Sequence, residues 1–414
     1  MRRVVITGIG ALTPIGNNVK EYLAGLQNGI SGAAPITYFD TTNFKTQFAC
    51  EVKNFHAEDF IDKKEVRRID NFAIYAMVAA DEAIAAAGLD PEKLDLDRVG
   101  VIMSSGIGGL ATLEREIEEF ITGNGIPRYN PFLIPKMIID IAAGHISMKH
   151  GFRGINYAIV SACASSSHAL MSAFDNVRIG RNDIIISGGA EATIVKVAVG
   201  GFGAMKALST RNDDPATASR PFDLDRDGFV LGEGAGALVV EELEHAKRRC
   251  ANILCEIVGA GATADAYHIT APHPEGLGAA NVMRAALADA HMNPDEIDYI
   301  NVHGTSTSLG DVAEVKAIQQ VFGDSIFKLN VSSTKSMTGH LLGAAGAIEA
   351  IAGVLAIQHN FIPPTINHFT DDPELDPRIN LTFNEAQQRE VRAVLSNTFG
   401  FGGHNGSLIF KKYE

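Results

Sequence analysis

Cysteine is scarce in this chain: four in 414 residues, Cys50, Cys163, Cys250 and Cys255, with none at a C-x-x-C metal spacing. So few thiols exclude a disulfide framework and predict a reducing, cytoplasmic setting. Long apolar runs are missing too. No stretch approaches the ~18–20 uninterrupted apolar residues that a membrane span needs. The opening, Met1-Arg-Arg-Val-Val-Ile-Thr-Gly-Ile-Gly10, is basic and then apolar like a signal peptide. It breaks at Gly8 and Gly10, then at Pro14 and Gly16, without a small-residue cleavage site, and reads as a first strand and turn. Basic residues are outnumbered, 35 against 49 acidic ones, and the net charge of −14 makes nucleic acid a poor partner. No tandem repeat or low-complexity segment is present.

Three familiar signatures fail on inspection. Gly8-Ile-Gly10 has Thr13 where a dinucleotide fingerprint needs its third glycine. Gly106-Ile-Gly108 fits the looser form with Ala111, but no acidic ribose partner follows in an obvious unit. Asp223-Leu-Asp225-Arg-Asp227-Gly228 starts like a calcium loop, yet Gly234 stands at loop position twelve, so a turn bound by Asp side chains is expected. The thirteen histidines form no helical His-pair, which argues against a catalytic zinc.

What is present is an alternation of short apolar runs with helical stretches. Strands are predicted at 4–7, 99–104, 155–162, 184–188, 235–241, 253–259, 299–302, 329–333, 393–397 and 407–410. Helices are predicted at 67–87, 164–179, 277–290, 311–322 and 343–357. This alternation predicts an α/β architecture with helices on mostly buried sheets. A seam after the charged stretch 241–249 divides the chain into 1–251 and 252–414. Each half opens on a strand and a Gly-rich turn, and each delivers a chemically useful residue from a later strand.

Cys163 is that residue in the first half. It follows the run Asn156–Ala162 and precedes Ala164-Ser-Ser-Ser-His-Ala-Leu170, the start of a helix. A thiol at a helix mouth meets free N–H groups and the positive end of the dipole, which favour thiolate. The second half offers His303, in Asn301-Val-His-Gly-Thr-Ser-Thr307, and His340, in Lys335-Ser-Met-Thr-Gly-His340. One nucleophile and two proton handlers suffice for acyl transfer followed by a second step. Lys335 precedes His340 by five residues, and Glu349 follows about two helical turns later. A basic cluster, Lys63, Lys64, Arg67 and Arg68, with Arg128 and Lys206 as candidate neighbours, reads either as a solvated helix face or as a docking patch for an acidic partner.

Taken together these segments resemble the β-ketoacyl-[acyl-carrier-protein] synthases, most closely the elongating condensing enzymes of bacterial type II fatty-acid synthesis. The resemblance rests on Val4-Val-Ile-Thr-Gly-Ile-Gly10, Ala162-Cys-Ala164, Arg220-Pro-Phe-Asp223, Asp227-Gly-Phe-Val230, His303-Gly-Thr-Ser-Thr307, Ser333-Thr-Lys-Ser336, Gly339-His340 and Asn397-Thr-Phe-Gly-Phe-Gly-Gly403. It implies a thiolase-like, five-layered α-β-α-β-α fold from two similar halves, usually as a homodimer. It implies Cys163, His303, His340 and Lys335 as the catalytic set, and the backbone N–H groups of Cys163 and Phe401 as an oxyanion hole. Thr270, Thr305 and Thr307 resemble positions that hold the phosphopantetheine arm of acyl carrier protein. Phe401, beside Phe399, resembles an acyl-pocket gate, with Ile107 and Phe202 lining the pocket. Asn301, Glu349, Ser396 and Asn397 resemble a structural site for Na+ or K+. No cofactor is required for the chemistry itself.

Two departures accompany the resemblance. His404 stands where some relatives carry Thr, and Val302 where Ala is commoner. A second His in Gly339-His340 argues against an initiating enzyme, which uses Cys, His and Asn. Cys255, in an apolar strand, cannot serve as the second cysteine of a thiolase. A polyketide ketosynthase shares the whole Cys-His-His set and stays open. So does a non-catalytic chain-length-determining subunit, against which the presence of Cys163 argues.

Overall fold

The computed structural model describes residues 1–414. Ten strands form one continuous sheet: β1 Val4–Leu12, β2 Val99–Ser104, β3 Asn156–Tyr157, β4 Ile184–Glu191, β5 Gly234–Glu242, β6 Cys255–Ala264, β7 Tyr299–Asn301, β8 Asn330–Ser332, β9 Ala393–Gly400 and β10 His404–Lys411. Their spatial order is β8-β7-β9-β10-β6-β1-β5-β4-β2-β3. The first half therefore runs 1-5-4-2-3 from the centre outward, and the second runs 6-10-9-7-8. Strand senses repeat as well: antiparallel, antiparallel, parallel, parallel in each half. The halves meet through the antiparallel β1–β6 pair, with Val4 opposite Ile257.

Six helices complete the layers: α1 Asn71–Ala86, α2 Ile141–His150, α3 Ser165–Arg178, α4 Leu277–Ala290, α5 Ser308–Phe322 and α6 Ala345–His359. Helices α1 and α2 cover the outer face of the first half-sheet, and α4 is the outer helix of the second, with α5 packed on it. Helices α3 and α6 pack on each other and on both half-sheets, so they form the central layer. Their positions explain their composition. Residues 345–357 of α6 are all buried, whereas the outer helix α4 buries mainly the face it turns inward.

Each of the ten predicted strands has a counterpart, several longer than expected. The run expected at 155–162 is strand only at Asn156–Tyr157, and those at 299–302 and 329–333 are trimmed to Tyr299–Asn301 and Asn330–Ser332. The opening strand was expected to break at Gly8 and Gly10, but β1 runs straight through them to Leu12. Those glycines serve close packing: a Cβ on Gly8 would lie 2.2 Å from the Ala83 carbonyl, and one on Gly10 would lie 2.0 Å from that of Ala79. The helix expected from residue 67 starts only at Asn71, because Asp70 caps it through Phe72 N–H and Lys63–Val66 forms a separate short turn of helix. Helix α2, whose small residues gave little signal, was not foreseen. No uninterrupted apolar run of span length is present, but Leu342–His359, broken by Glu349, has the length and mean hydropathy of a membrane span; it is the buried centre of the molecule.

Candidate active site

Cys163 sits on a strained elbow between β3 and α3. Ala162 adopts a left-handed conformation with φ +51°, costing on the order of 1–3 kcal/mol for a residue with a Cβ. Ser165 holds the elbow: its hydroxyl donates to the Ala162 carbonyl at 2.6 Å and accepts from Ser161 N–H at 2.9 Å. No side chain caps the start of α3. The β9–β10 turn approaches the elbow closely, since a Cβ on Gly400 would lie 2.8 Å from the Ser161 carbonyl and 3.1 Å from Cys163 N. The next residue is Phe401. Burial pushes the Cys163 thiol up to about 11, opposing the lowering expected from its position at a helix mouth. The charge of Lys335 and the N–H groups of Phe401 and Cys163 work in the other direction and lower it.

The two histidines come from the second half. His303 directly follows β7, and Glu314 on α5 fixes its backbone, accepting from His303 N–H at 2.9 Å and Gly304 N–H at 2.8 Å. Burial raises the Glu314 carboxyl to about 7. His340 occupies the turn before α6. Its N–H donates to the Val230 carbonyl at 2.7 Å, and its carbonyl accepts from Gly232 N–H at 3.0 Å. The imidazoles meet edge to face, with ring centres 5.2 Å apart. Phe399 lies against His303 at 5.7 Å and Phe229 against His340 at 5.3 Å. Burial holds both imidazoles well below the ordinary histidine value, and the charge of Lys335 lowers them further. Both rings are therefore neutral near pH 7, each with one N–H to donate.

Lys335 is 1% exposed and forms an ion pair with Glu349 of α6. Burial lifts the Glu349 carboxyl to about 7 against the lowering influence of Lys335. Nearby, the residues expected to hold a monovalent cation divide. Asn301 and Ser396 are register partners on β7 and β9, and their side-chain polar atoms, with Glu349 Oε2, are buried and unpartnered. Hard oxygen donors with a single carboxylate suit Na+ or K+. Asn397 stands apart: its oxygen accepts from the Ser407 hydroxyl, and its Nδ2 reaches Glu314 Oε1 at 3.4 Å.

Cys163, His303 and His340 line one cavity of about 480 Å3. So do Ile107, Phe202, Thr270, Thr305, Thr307, Phe399 and Phe401, every substrate-binding position expected from the sequence. The hydroxyls of Thr305 and Thr307 lie 3.2 Å apart. Ser306 between them has φ +69° and is fastened by Arg220 N–H, Gly228 N–H and Asp311. The turn predicted at Asp223 also exists, its carboxylate accepting from Asp225, Phe369 and Thr370 N–H. Leu342, His268 and Glu314 at this cavity were not foreseen; an acidic pair three apart, Asp311 and Glu314, inside an apolar helix was the available signal for Glu314.

The basic cluster only partly gathers. Lys64, Arg67, Arg68 and Arg128 line a separate open groove, joined by the unforeseen Arg115 and by Lys136. Arg68 also lies over the Phe132 ring at 5.2 Å. Lys63 stays outside that groove, in a surface pair with Glu58 at 3.3 Å. Lys206 lines the catalytic cavity instead of the groove, because its left-handed backbone ends the Gly-rich helix Lys196–Ala204 at the cavity wall.

Comparison with known proteins agrees with this geometry. The beta-ketoacyl synthase N-terminal domain matches residues 1–246 and the C-terminal domain residues 254–369. A curated 3-oxoacyl-[acyl-carrier-protein] synthase 2 of Staphylococcus aureus is 51% identical over 413 residues, covering 100% of this chain and 99% of its own length. One from Synechocystis is 48% identical over 415 residues, with the same coverage. Among solved structures, a beta-ketoacyl synthase from Burkholderia phymatum superposes with a TM-score of 0.91 at 36% identity, both chains fully covered. A type II polyketide ketosynthase solved in complex with its acyl-carrier protein superposes with a TM-score of 0.91 at 34% identity, also fully covered. With the thiol, the paired imidazoles and the duplicated five-layer frame in one chain, this protein belongs to the β-ketoacyl synthase family.

Proposed function

We propose that the protein is a 3-oxoacyl-[acyl-carrier-protein] synthase that lengthens fatty acyl chains by two carbons through decarboxylative Claisen condensation. The observation that carries this reading is the convergence of Cys163, His303, His340 and the Phe401 turn on one cavity, with a buried cation behind them.

The sulfur of Cys163 attacks the acyl thioester on the carrier. The tetrahedral oxyanion sits between the N–H groups of Cys163 and Phe401, and the carrier thiol leaves with the proton given up by Cys163. Malonyl carrier then enters. Its carboxylate departs as CO2, and the bonding electrons pass to an enolate whose oxygen accepts from the neutral imidazoles of His303 and His340. The enolate carbon attacks the acyl-Cys163 carbonyl, the second oxyanion collapses, and the Cys163 thiolate leaves and is reprotonated. Lys335 keeps the imidazoles in their neutral, donating form. Thr270, Thr305 and Thr307 hold the phosphopantetheine arm, Phe401 and Phe399 gate the acyl pocket, and Ile107 and Phe202 line it. Na+ or K+ at Asn301, Ser396 and Glu349 would satisfy buried oxygens that otherwise lack partners.

The acidic carrier protein docks on the groove of Lys64, Arg67, Arg68 and Arg128, and Lys206 meets the arm at the cavity mouth. Arg67 and Arg128 have no ion-pair partner within the chain, which leaves them free for an external anion. The working form is a cytoplasmic homodimer. Strand β3 leaves an open sheet edge, with exposed Val160 just beyond it and exposed Ile134 and Ile138 among the unpartnered apolar side chains of the same half.

The test is the intact mass of wild type and Cys163→Ala after incubation with a series of acyl carrier proteins. One acyl adduct on the wild type alone, discharged with CO2 release when malonyl carrier is added, is expected. An adduct that persists in the variant, or none with any fatty acyl donor, overturns the reading, and adducts with polyketide donors only would move the protein to the polyketide ketosynthases.

A further inference from the structure

Glu191 ends β4 fully buried, with no cationic partner, and takes no part in the mechanism above. Four donors converge on its carboxylate. Gly106 N–H donates to it at 2.8 Å, Gly343 N–H at 3.0 Å, Ile107 N–H at 3.3 Å and the Ser105 hydroxyl at 2.9 Å. The Ser105 oxygen in turn accepts from Gly108 N–H at 3.0 Å. The surrounding backbone is cleared for this meeting. A Cβ on Gly106 would lie 2.8 Å from Glu191 Oε2, one on Gly343 2.0 Å from Gly106 N, and one on Gly189 2.8 Å from the Gly343 carbonyl.

The segments gathered here come from β2, β4 and the turn before α6, and two of them reach the catalytic cavity. Residues 105–108 carry Ile107 to its wall. Gly343 follows Leu342, another wall residue, which is held at φ +46°, and lies three residues after His340. We propose that Glu191 is a positioning residue: its carboxylate ties the Ile107 wall of the acyl pocket to the Leu342 turn behind His340, and so sets how well the enzyme discriminates acyl chain length. The proposal rests on the reading that an acyl chain occupies this cavity. A side-chain amide cannot replace the carboxylate, because its NH2 would face donors and at least part of the set would be left unpaired. Glu191 also contributes a negative charge near Cys163, one of the influences raising that thiol.

The experiment compares wild type, Glu191→Gln and Ser105→Ala as intact enzymes. It measures kcat/KM for self-acylation with short and long acyl carrier proteins, and the rate of Cys163 alkylation by iodoacetamide at fixed pH. In Glu191→Gln the ratio between long and short chains is expected to narrow roughly tenfold, the scale set by a loosened apolar wall. Alkylation is expected to hold or quicken, since a negative charge beside the thiol is gone. Ser105→Ala, which keeps the carboxylate and its backbone donors, is expected to narrow the ratio less, and it carries the test if Glu191→Gln does not fold. A chain-length ratio unchanged in the variants, with all rates falling in parallel, overturns the proposal. A wild type that forms no acyl adduct would overturn the functional reading instead, which separates the two failures.

Discussion

Replacing Lys335 by methionine should damage stability and catalysis through different groups, and the two effects can be separated. Lys335 and Glu349 are both buried and each is the other's only ion-pair partner. Removing the cation strands a carboxyl that burial has already lifted to about 7, and breaking such a pair costs about 3–5 kcal/mol. In the variant that carboxyl rises further and folds in its neutral form. A raised folded-state value gives stability that is complete below the ordinary carboxylate range and is lost as pH rises through the folded value. Because the wild-type carboxyl already titrates near 7, the deficit against wild type should be small near pH 5, open as pH rises past about 7, and become full only above the variant's higher value. Adding Glu349→Gln removes the carboxyl that must take up a proton to fold and should recover roughly 1–4 kcal/mol at neutral pH. It should not restore condensation. Without the Lys335 charge both histidines protonate more easily, so the acid limb of malonyl decarboxylation moves to higher pH in single and double variants alike. Denaturant unfolding at pH 5.5 and pH 8, with decarboxylation rates across the same range, makes the comparison. A double variant no more stable than the single one, or a single variant with an unshifted acid limb, refutes the argument.

His303→Ala and His340→Ala are each expected to accept an acyl group on Cys163 yet lose malonyl decarboxylation by about 100-fold or more, the loss typical of one oxyanion donor; equal loss of both half-reactions would count against the assigned step. Charge reversal at Arg67 or Arg128 should weaken carrier binding and flatten its salt dependence while leaving self-acylation from a short pantetheine thioester unchanged. Carrier affinity unaltered at low salt would remove the groove from the docking surface. Gly400→Ala should lower acylation of Cys163 without unfolding the protein, because the added carbon would lie 2.8 Å from the Ser161 carbonyl and must push Phe401 away from the thiol. An unchanged acylation rate would show that the turn can shift without cost.

Sequence alone determined the α/β class, the places of the ten strands and five of the six layer helices, because apolar runs of strand and helix length are local signals. The cap at Asp70 went unread, and the run at 155–162 is strand only at Asn156–Tyr157. It singled out Cys163, His303, His340 and Lys335 because thiol, imidazole and amine carry their chemistry wherever they stand. It could not tell Gly8 and Gly10 from turn residues: both have the same missing Cβ, and only the helix lying across β1 shows that close packing requires it. It could not read the strain at Ala162, since left-handed alanine leaves no compositional trace. Tertiary structure alone decided that Lys206 belongs to the catalytic cavity rather than the basic groove, and that Asn397 bonds to Ser407 rather than joining the unpaired oxygens. It also decided the protonation of the site. A helix mouth favours thiolate whatever surrounds it, but burial acts through every neighbouring atom, and those neighbours come from segments more than two hundred residues away in the chain, such as the Phe401 turn beside Cys163.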